Sequence, residues 1–407
     1  MSIGTPARTS DASPSPFRLA LFWLGIQAVW GALLGISLQA RTIELVPSGA
    51  VLAYGRLATL GAATAAVVQI LVGVWSDRRR RAGSRRLEFY AFGALGGAAA
   101  LGWFYTARTF AELTFALVAL QAALNVAIGP YQAIIPDFVA KHRVGAASSW
   151  MAALQSLGNA VGALGASFIA NAKTLAAALG AVLVVTCAIT SNTARRFALR
   201  ERGDAGERLR VTRPFVDLFI SRALVYVGFY TLLGYLLFYV EGVLRTATLA
   251  DARLQTGVLI ISFTIVGAAG AALAARPSDR LDKRVVATAG AAAFIVALGL
   301  FIVASNLGGA IAATVVAGLG WGVFLVADWA IACRVLPPGA MAAAMGVWNL
   351  AIVLPQIAAP AVATAVLAHV GMTEGAAAPR IAFGLALGET FAGIAWLWRL
   401  PAASIGD

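Results

Sequence analysis

The chain has 407 residues, of which 60% are hydrophobic and only 12% charged, and its mean hydropathy is +0.83. Soluble domains carry roughly 25% charged residues, so a soluble enzyme and a disordered regulator are both excluded, and two cysteines exclude a secreted disulfide scaffold. The excess of 31 Lys+Arg over 18 Asp+Glu would suggest nucleic acid in a soluble chain. In a chain of long apolar blocks it marks the loops on one face of a bilayer instead, and no nucleic-acid partner is expected.

A Ser/Pro/Thr-rich stretch, residues 1–16, reads as a disordered cytoplasmic tail. The first apolar block, Phe17–Leu38, exceeds the roughly 7–15 residues of a signal-peptide core and is read as a retained span. Further spans are predicted at Val51–Trp75, Leu87–Tyr105, Ala111–Ile135, Ala146–Ala170 and Thr174–Ile189. A polar segment, residues 194–214, follows and reads as a solvated cytoplasmic linker near anionic headgroups. Beyond it come Phe215–Val240, Leu254–Leu273, Val285–Ser305, Gly308–Ile331, Ala342–Val366 and Ile381–Leu400. The expectation is an all-α integral membrane protein with twelve transmembrane helices. These form two six-helix bundles, 17–193 and 215–400, and a short cytoplasmic tail, 401–407. Arg41, Arg108, Lys173, Arg245, Arg253 and Arg380 lie on one side, Arg56 and Arg222 lie within spans, and all other Lys and Arg lie on the side of the termini. That asymmetry places both termini in the cytoplasm of a cell with the chain in its inner membrane.

Ser76-Asp77-Arg78 follows the second span, and Ser278-Asp279-Arg280 follows the eighth, 202 residues further on. Both tripeptides enter short basic loops. Two duplicated six-helix halves are a transporter architecture, with the solute at their interface near the midplane.

The segment from Val68 to Arg78, with the basic run to Arg86, resembles the loop-2/3 signature of the major facilitator superfamily. Asn125–Asp137, Met345–Asn349 and Pro355-Gln356 narrow the resemblance to its glycoside/sucrose–proton symporter branch, in which Ile70 would be proline. The resemblance implies that Asp77 meets the start of the eleventh helix near Gly346, and Asp279 the start of the fifth near Gly145, where exposed N–H groups favour a carboxylate. It further implies pairs Arg78–Asp137 and Arg280–Asp328 within the halves, together forming a gate and latch. Gln121 stands where those symporters carry a fourth-helix aspartate, and an amide cannot load and release a proton.

Polar side chains inside a bilayer are expensive, so their angular positions carry information. At 100° per residue Thr114, Gln121, Asn125 and Gln132 fall within about 40° on the fourth helix. Trp23, Gln27, Trp30 and Ser37 form a similar stripe, about 80° wide, on the first. In the resembled fold helices 1, 4, 7 and 10 line the cavity, helped by 5 and 11. The expected solute site is therefore Gln27, Trp30, Gln121 and Asn125 from the first half and Tyr226, Tyr230, Trp321 and Asn349 from the second. Amides pair with hydroxyls and rings cover apolar faces, which suits a sugar- or glycoside-like solute. The alternative for any such amide is a hydrogen bond between helices with no ligand involved.

Arg56 and Arg222 lie about six residues from predicted helix ends and are expected to snorkel, with anchoring of a carboxylate or phosphate as the alternative. Glu389, mid-span in the twelfth helix, is the candidate proton site. His142, His369, Cys187 and Cys333 show no metal-ligand spacing, and there is no phosphate-binding loop. No catalytic residue, metal or cofactor is expected, and the chain is expected to act as a monomer. The reading is a secondary or facilitative transporter of a small organic solute. Its alternatives are an exporter of amphipathic compounds, or a non-transporting facilitator-fold factor for assembly or pigment delivery.

Overall fold

The computed structural model describes residues 14–139, 144–197, 211–335 and 341–401. Hydrocarbon cannot hydrogen-bond a backbone, so each crossing must satisfy its own N–H and C=O groups within a helix. Twelve long helical segments result among the described residues: α1 Pro16–Leu45, α2 Ala50–Arg81, α3 Leu87–Thr106, α4 Phe110–Tyr131, α5 Val144–Phe168 and α6 Ala172–Arg195. The second set is α7 Arg213–Gly242, α8 Leu249–Arg280, α9 Lys283–Val303, α10 Leu307–Val335, α11 Met341–Val370 and α12 Ala377–Leu397. Ten of them are long and apolar enough to cross a membrane by length and composition alone.

Several helices outrun the predicted spans because their last turns lie beyond the apolar stretch that sequence detects. Local chemistry sets the starts. The side chains of Thr109, Asn171, Thr212 and Thr248 accept hydrogen bonds from the backbone N–H groups of Glu112, Thr174, Phe215 and Asp251, which satisfies donors that the first turn leaves open. The predicted fourth span runs to Ile135, whereas α4 stops at Tyr131 just after Pro130, and a separate turn of helix, Ile134–Phe138, follows. α1 contains a π-helical turn, Leu33–Ser37. Its wider winding rotates Ser37 out of the predicted α1 stripe. Ser37 is buried and its hydroxyl lies 2.8 Å from Tyr105 Oη of α3.

The packing repeats six helices on. In the first half the principal pairs are α1 with α5, α3 with α4, α3 with α6, α2 with α4 and α1 with α6. In the second they are α7 with α11, α9 with α10, α9 with α12, α8 with α10 and α7 with α12. Helices in lipid gain little from hiding apolar surface from each other, so contact depends on small residues that let backbones approach. A Cβ at Gly158 of α5 would lie 2.6 Å from Leu24 O of α1. One at Gly290 of α9 would lie 2.7 Å from Gly320 O of α10.

Among the described residues the halves meet toward one end. The near end is where α1 begins and α12 finishes, and the far end holds Gly49 and Glu374. Cross-half contacts among the described side chains lie toward the far end. Arg253 Nη2 donates to Ala166 O at 2.7 Å and Ile169 O at 3.3 Å. Gln39 Nε2 donates to Gly234 O at 3.3 Å, and Gly49 N to Glu374 Oε1 at 2.9 Å. The Tyr54 ring meets Phe238 edge-on at 5.5 Å, and Gly55 and Gly257 press against Thr364 and Ser167. Toward the near end Ile70, Leu71 and Trp75 of α2 and Leu273 of α8 are exposed. Among the described residues, the contacts that join the halves therefore lie toward the far end.

Replacing Gly158 by Val is expected to destabilise the protein by about 1–3 kcal/mol through overpacking against α1. Gly102→Ala, with nothing within 4 Å of the added Cβ, should leave stability unchanged. Thermal unfolding of the two purified variants in detergent checks the contrast.

Candidate functional site

The first-half residues expected to bind solute divide into two groups. Gln27 on α1 donates its amide to Gln155 Oε1 of α5 at 3.4 Å, and Trp30 is half-buried one turn along. Gln121 and Asn125 are buried. Asn125 Nδ2 donates to Gln121 O at 2.8 Å and lies 3.5 Å from its Oε1. The Gln121 amide also sits against α2, where a Cβ added at Gly61 would be 3.1 Å from its Nε2. Periodicity finds the polar face of α4 but not its neighbour, and here the neighbour is α2. Gln121 thus has α2 beside it, while Gln27 bonds α5.

The second half concentrates its polar groups. Arg222 of α7 is 1% exposed and Asp328 of α10 is 3% exposed, and Arg222 Nη1 hydrogen-bonds Asp328 Oδ2. Two rings lie against the guanidinium, with Trp348 of α11 at 4.3 Å and Tyr226 at 4.9 Å from its carbon. Such stacking adds a cation–π attraction that strengthens with desolvation. Tyr226 adjoins Trp321 at 5.1 Å, Trp321 stacks on Phe229 at 4.3 Å with 15° between planes, and Gln356 Nε2 donates to Tyr230 Oη at 2.8 Å. Three predicted residues, Tyr226, Tyr230 and Trp321, thus share one cluster. The side chain of Asn349, the fourth, lies outside the described residues.

Two expectations change here. Arg222 does not snorkel: it sits nine residues into α7, about 14 Å from the helix start, and a buried opposite charge is closer than water. Arg56, by contrast, is exposed. Asp328 pairs with Arg222 rather than Arg280, because Arg280 is at the α8 terminus and exposed, about 10 Å of helix beyond the depth of Asp328. The signal that could have found the pair was present: single opposite charges inside two cavity helices, each too costly to bury alone. Trp348 and Phe229 carry no such signal, since an aromatic residue in an apolar helix reads as packing.

At the near end of the first half Asp137 receives Arg80 Nε at 3.3 Å and Arg86 Nε at 3.6 Å, and Arg86 Nη2 reaches Asp77 at 2.6 Å. Arg86 is buried with a left-handed backbone, φ 63°, the conformation that turns the chain into α3. The expected partner of Asp137, Arg78, points to solvent. Helix α2 continues through the basic run, and Arg78 and Arg80 are about 200° apart on it. The Asp77 side chain is half-exposed. The side chain of Asp279 and those around Gly145 and Gly346 lie outside the described residues. Past α8, Asp282 bonds Arg284 at 2.6 Å, and that guanidinium holds its carboxyl below the ordinary value. Glu389 of α12 accepts a hydrogen bond from Thr231 Oγ1 of α7 at 3.1 Å, between helices rather than in the aromatic cluster.

Removing one member of a buried pair strands the other charge. Arg222→Ala is expected to cost about 3–5 kcal/mol of stability, while Arg222→Met with Asp328→Leu should recover most of it. Unfolding midpoints of the single and double variants measure the difference.

No curated protein sequence matches this chain. Its fold is similar to that of a bacterial homologue of the human lysosomal transporter Spinster in an inward-facing and occupied conformation, at 15% identity and TM-score 0.75, covering 96% of this chain and 98% of that one. It is also similar to the nucleoside transporter NupG, at 14% identity and TM-score 0.68 over 94% and 98% of the two chains. A D-xylose–proton symporter matches at 14% identity and TM-score 0.66 over 94% and 97%. At such identities the likeness is one of fold. The sequence itself matches the Major Facilitator Superfamily over residues 17–360. Twelve long helices among the described residues, packed as two repeating sets of six, accord with that match, and the chain belongs to this superfamily.

Proposed function

We propose that this protein carries a small organic solute across a membrane by alternating access. The observation that supports the reading most directly is the seam: the two halves pack as separate sets of six, and the contacts between them among the described residues lie toward the far end. The rigid-body units of the motion are the two bundles, 17–193 and 215–400. From the arginine distribution, the near end and both termini face the cytoplasm and the chain resides in the inner membrane as a monomer. The proposed solute wall combines Gln27 and Trp30 with Tyr226, Tyr230 and Trp321, and Asn349 completes it. Flat rings beside amides suit a ring-bearing polar solute of sugar or glycoside size. Gln121 and Asn125 of α4 complete the first-half side of that wall.

Closure of the near end brings Asp77 and Asp279 to the opposite half. Spin labels at Trp75→Cys of α2 and Leu350→Cys of α11, both exposed positions, are expected to move closer when solute is added to protein in proteoliposomes. A distance distribution that no solute alters would overturn alternating access.

Coupling to protons, where it exists, runs through Glu389, since Gln121 cannot titrate. Solute-driven proton movement should vanish in Glu389→Gln proteoliposomes, as read by a pH-sensitive dye. Tyr230→Phe removes the acceptor of the Gln356 hydrogen bond, a loss of about 0.5–1.5 kcal/mol, and is expected to weaken solute uptake severalfold.

A further inference from the structure

We infer that the side-on edge of Arg222, its Nε and Nη2 atoms, is an anion subsite that takes a carboxylate of the solute. The inference rests on the transport reading above and names one chemical feature of its solute. A guanidinium presents two edges, and only the end carrying Nη1 meets Asp328 Oδ2. On the other edge Nη2 has a long 3.4 Å contact to Tyr226 Oη, and Nε has no hydrogen-bond partner although it is buried. The indole Nε1 of Trp348 is a second buried donor without a partner, on the ring that covers the same guanidinium at 4.3 Å. Buried donors in native structures are nearly always satisfied, and an exception calls for an explanation.

These orphans share a character that points to the ligand. Both are donors, both sit at one cation, and the Nε/Nη2 fork matches a carboxylate bidentately. Asp328 neutralises the arginine through Nη1 and leaves Nε without a hydrogen bond. The rings of Tyr226, Trp321 and Phe229 next to the fork would cover the body of the solute, so the class is a ring-bearing organic acid. Trp348 lies over the guanidinium at 2% exposure, and a carboxylate reaches the fork as that indole moves aside and donates its N–H to it.

The test uses the full-length protein in detergent and paired probes that differ only in charge: phenylacetate against phenylacetamide, and D-glucuronate against D-glucuronamide. Phenyl phosphate distinguishes a phosphate site from a carboxylate site, and tryptophan fluorescence and thermal shift report binding. Hydrogen bonds to a charged group correspond to roughly tenfold or more in affinity. At least one acid should therefore bind roughly tenfold tighter than its amide. Arg222→Lys keeps the charge but loses the fork and should abolish that preference. Trp348→Phe keeps the ring but loses the donor and should reduce it, which keeps the inference testable if Arg222→Lys fails to fold. Equal binding of acid and amide, a preference that survives both variants, or binding of phenyl phosphate with neither acid preferred would each overturn the carboxylate subsite. So would binding or uptake of neutral solutes alone, which leaves the transport reading standing. Failure of every charged and neutral solute both to bind and to cross would overturn the two together.

Discussion

Hydrocarbon offers backbone and side-chain polar groups nothing to bond with, and that constraint organises this molecule at each scale. It makes every crossing a continuous helix. It also removes most of the gain from burying one apolar helix against another, so association depends on close backbone approach and on shared polar groups. Within each half the approach is very close: Gly158 leaves no room for a Cβ beside α1, and Gly290 and Gly320 do the same for α9 and α10. Between the halves the comparable contacts lie at Gly55 and Gly257, toward the far end. Two tightly packed units joined toward one end are mechanically suited to rocking, because interior packing resists deformation while a small seam can exchange.

Charge follows the same constraint. A lone arginine or aspartate in a span is costly, and the pairing of Arg222 with Asp328 removes most of that cost by linking α7 to α10. The Trp348 contact brings α11 to the same point. The second half therefore has a charged centre, whereas the first half has amides at α1, α4 and α5 and keeps its ionic network at the near end around Arg86. A repeat in helix packing is accompanied by divergence in chemistry. That asymmetry sets a charged centre in the second half against neutral amides in the first.

Helix winding decides where such groups point. The π-helical turn at Leu33–Ser37 breaks the 100° progression on α1, so Ser37 leaves the stripe that contains Gln27 and Trp30 and bonds Tyr105. On α4 the winding is regular and the predicted stripe of Gln121 and Asn125 is intact, yet it faces α2. Ser37 is thus satisfied between helices, while Asn125 bonds Gln121 within α4. The arginine fork on α7 differs because its Nε remains unsatisfied.

Long apolar blocks, arginine-rich loops and the repeated Ser-Asp-Arg tripeptide were sufficient, from the sequence alone, for twelve helices in two related halves and for the superfamily. Those features are local in the chain: hydrophobic length sets a crossing, and a repeated loop motif records duplication. Tyr226, Tyr230 and Trp321 were also legible, because midspan polar aromatics stand out against aliphatic neighbours. The partners of Arg222 and Asp328 were not. Which charges meet depends on the rotation and depth of separate helices, α7, α10 and α11, and these are set by side-chain packing between segments far apart in the chain. The same holds for Asp137, which receives Arg80 and Arg86 rather than Arg78 because α2 continues as a helix through the basic run and turns Arg80 inward and Arg78 to solvent. Sequence determined which residues could not remain alone in a bilayer, and the tertiary structure decided which of them came together.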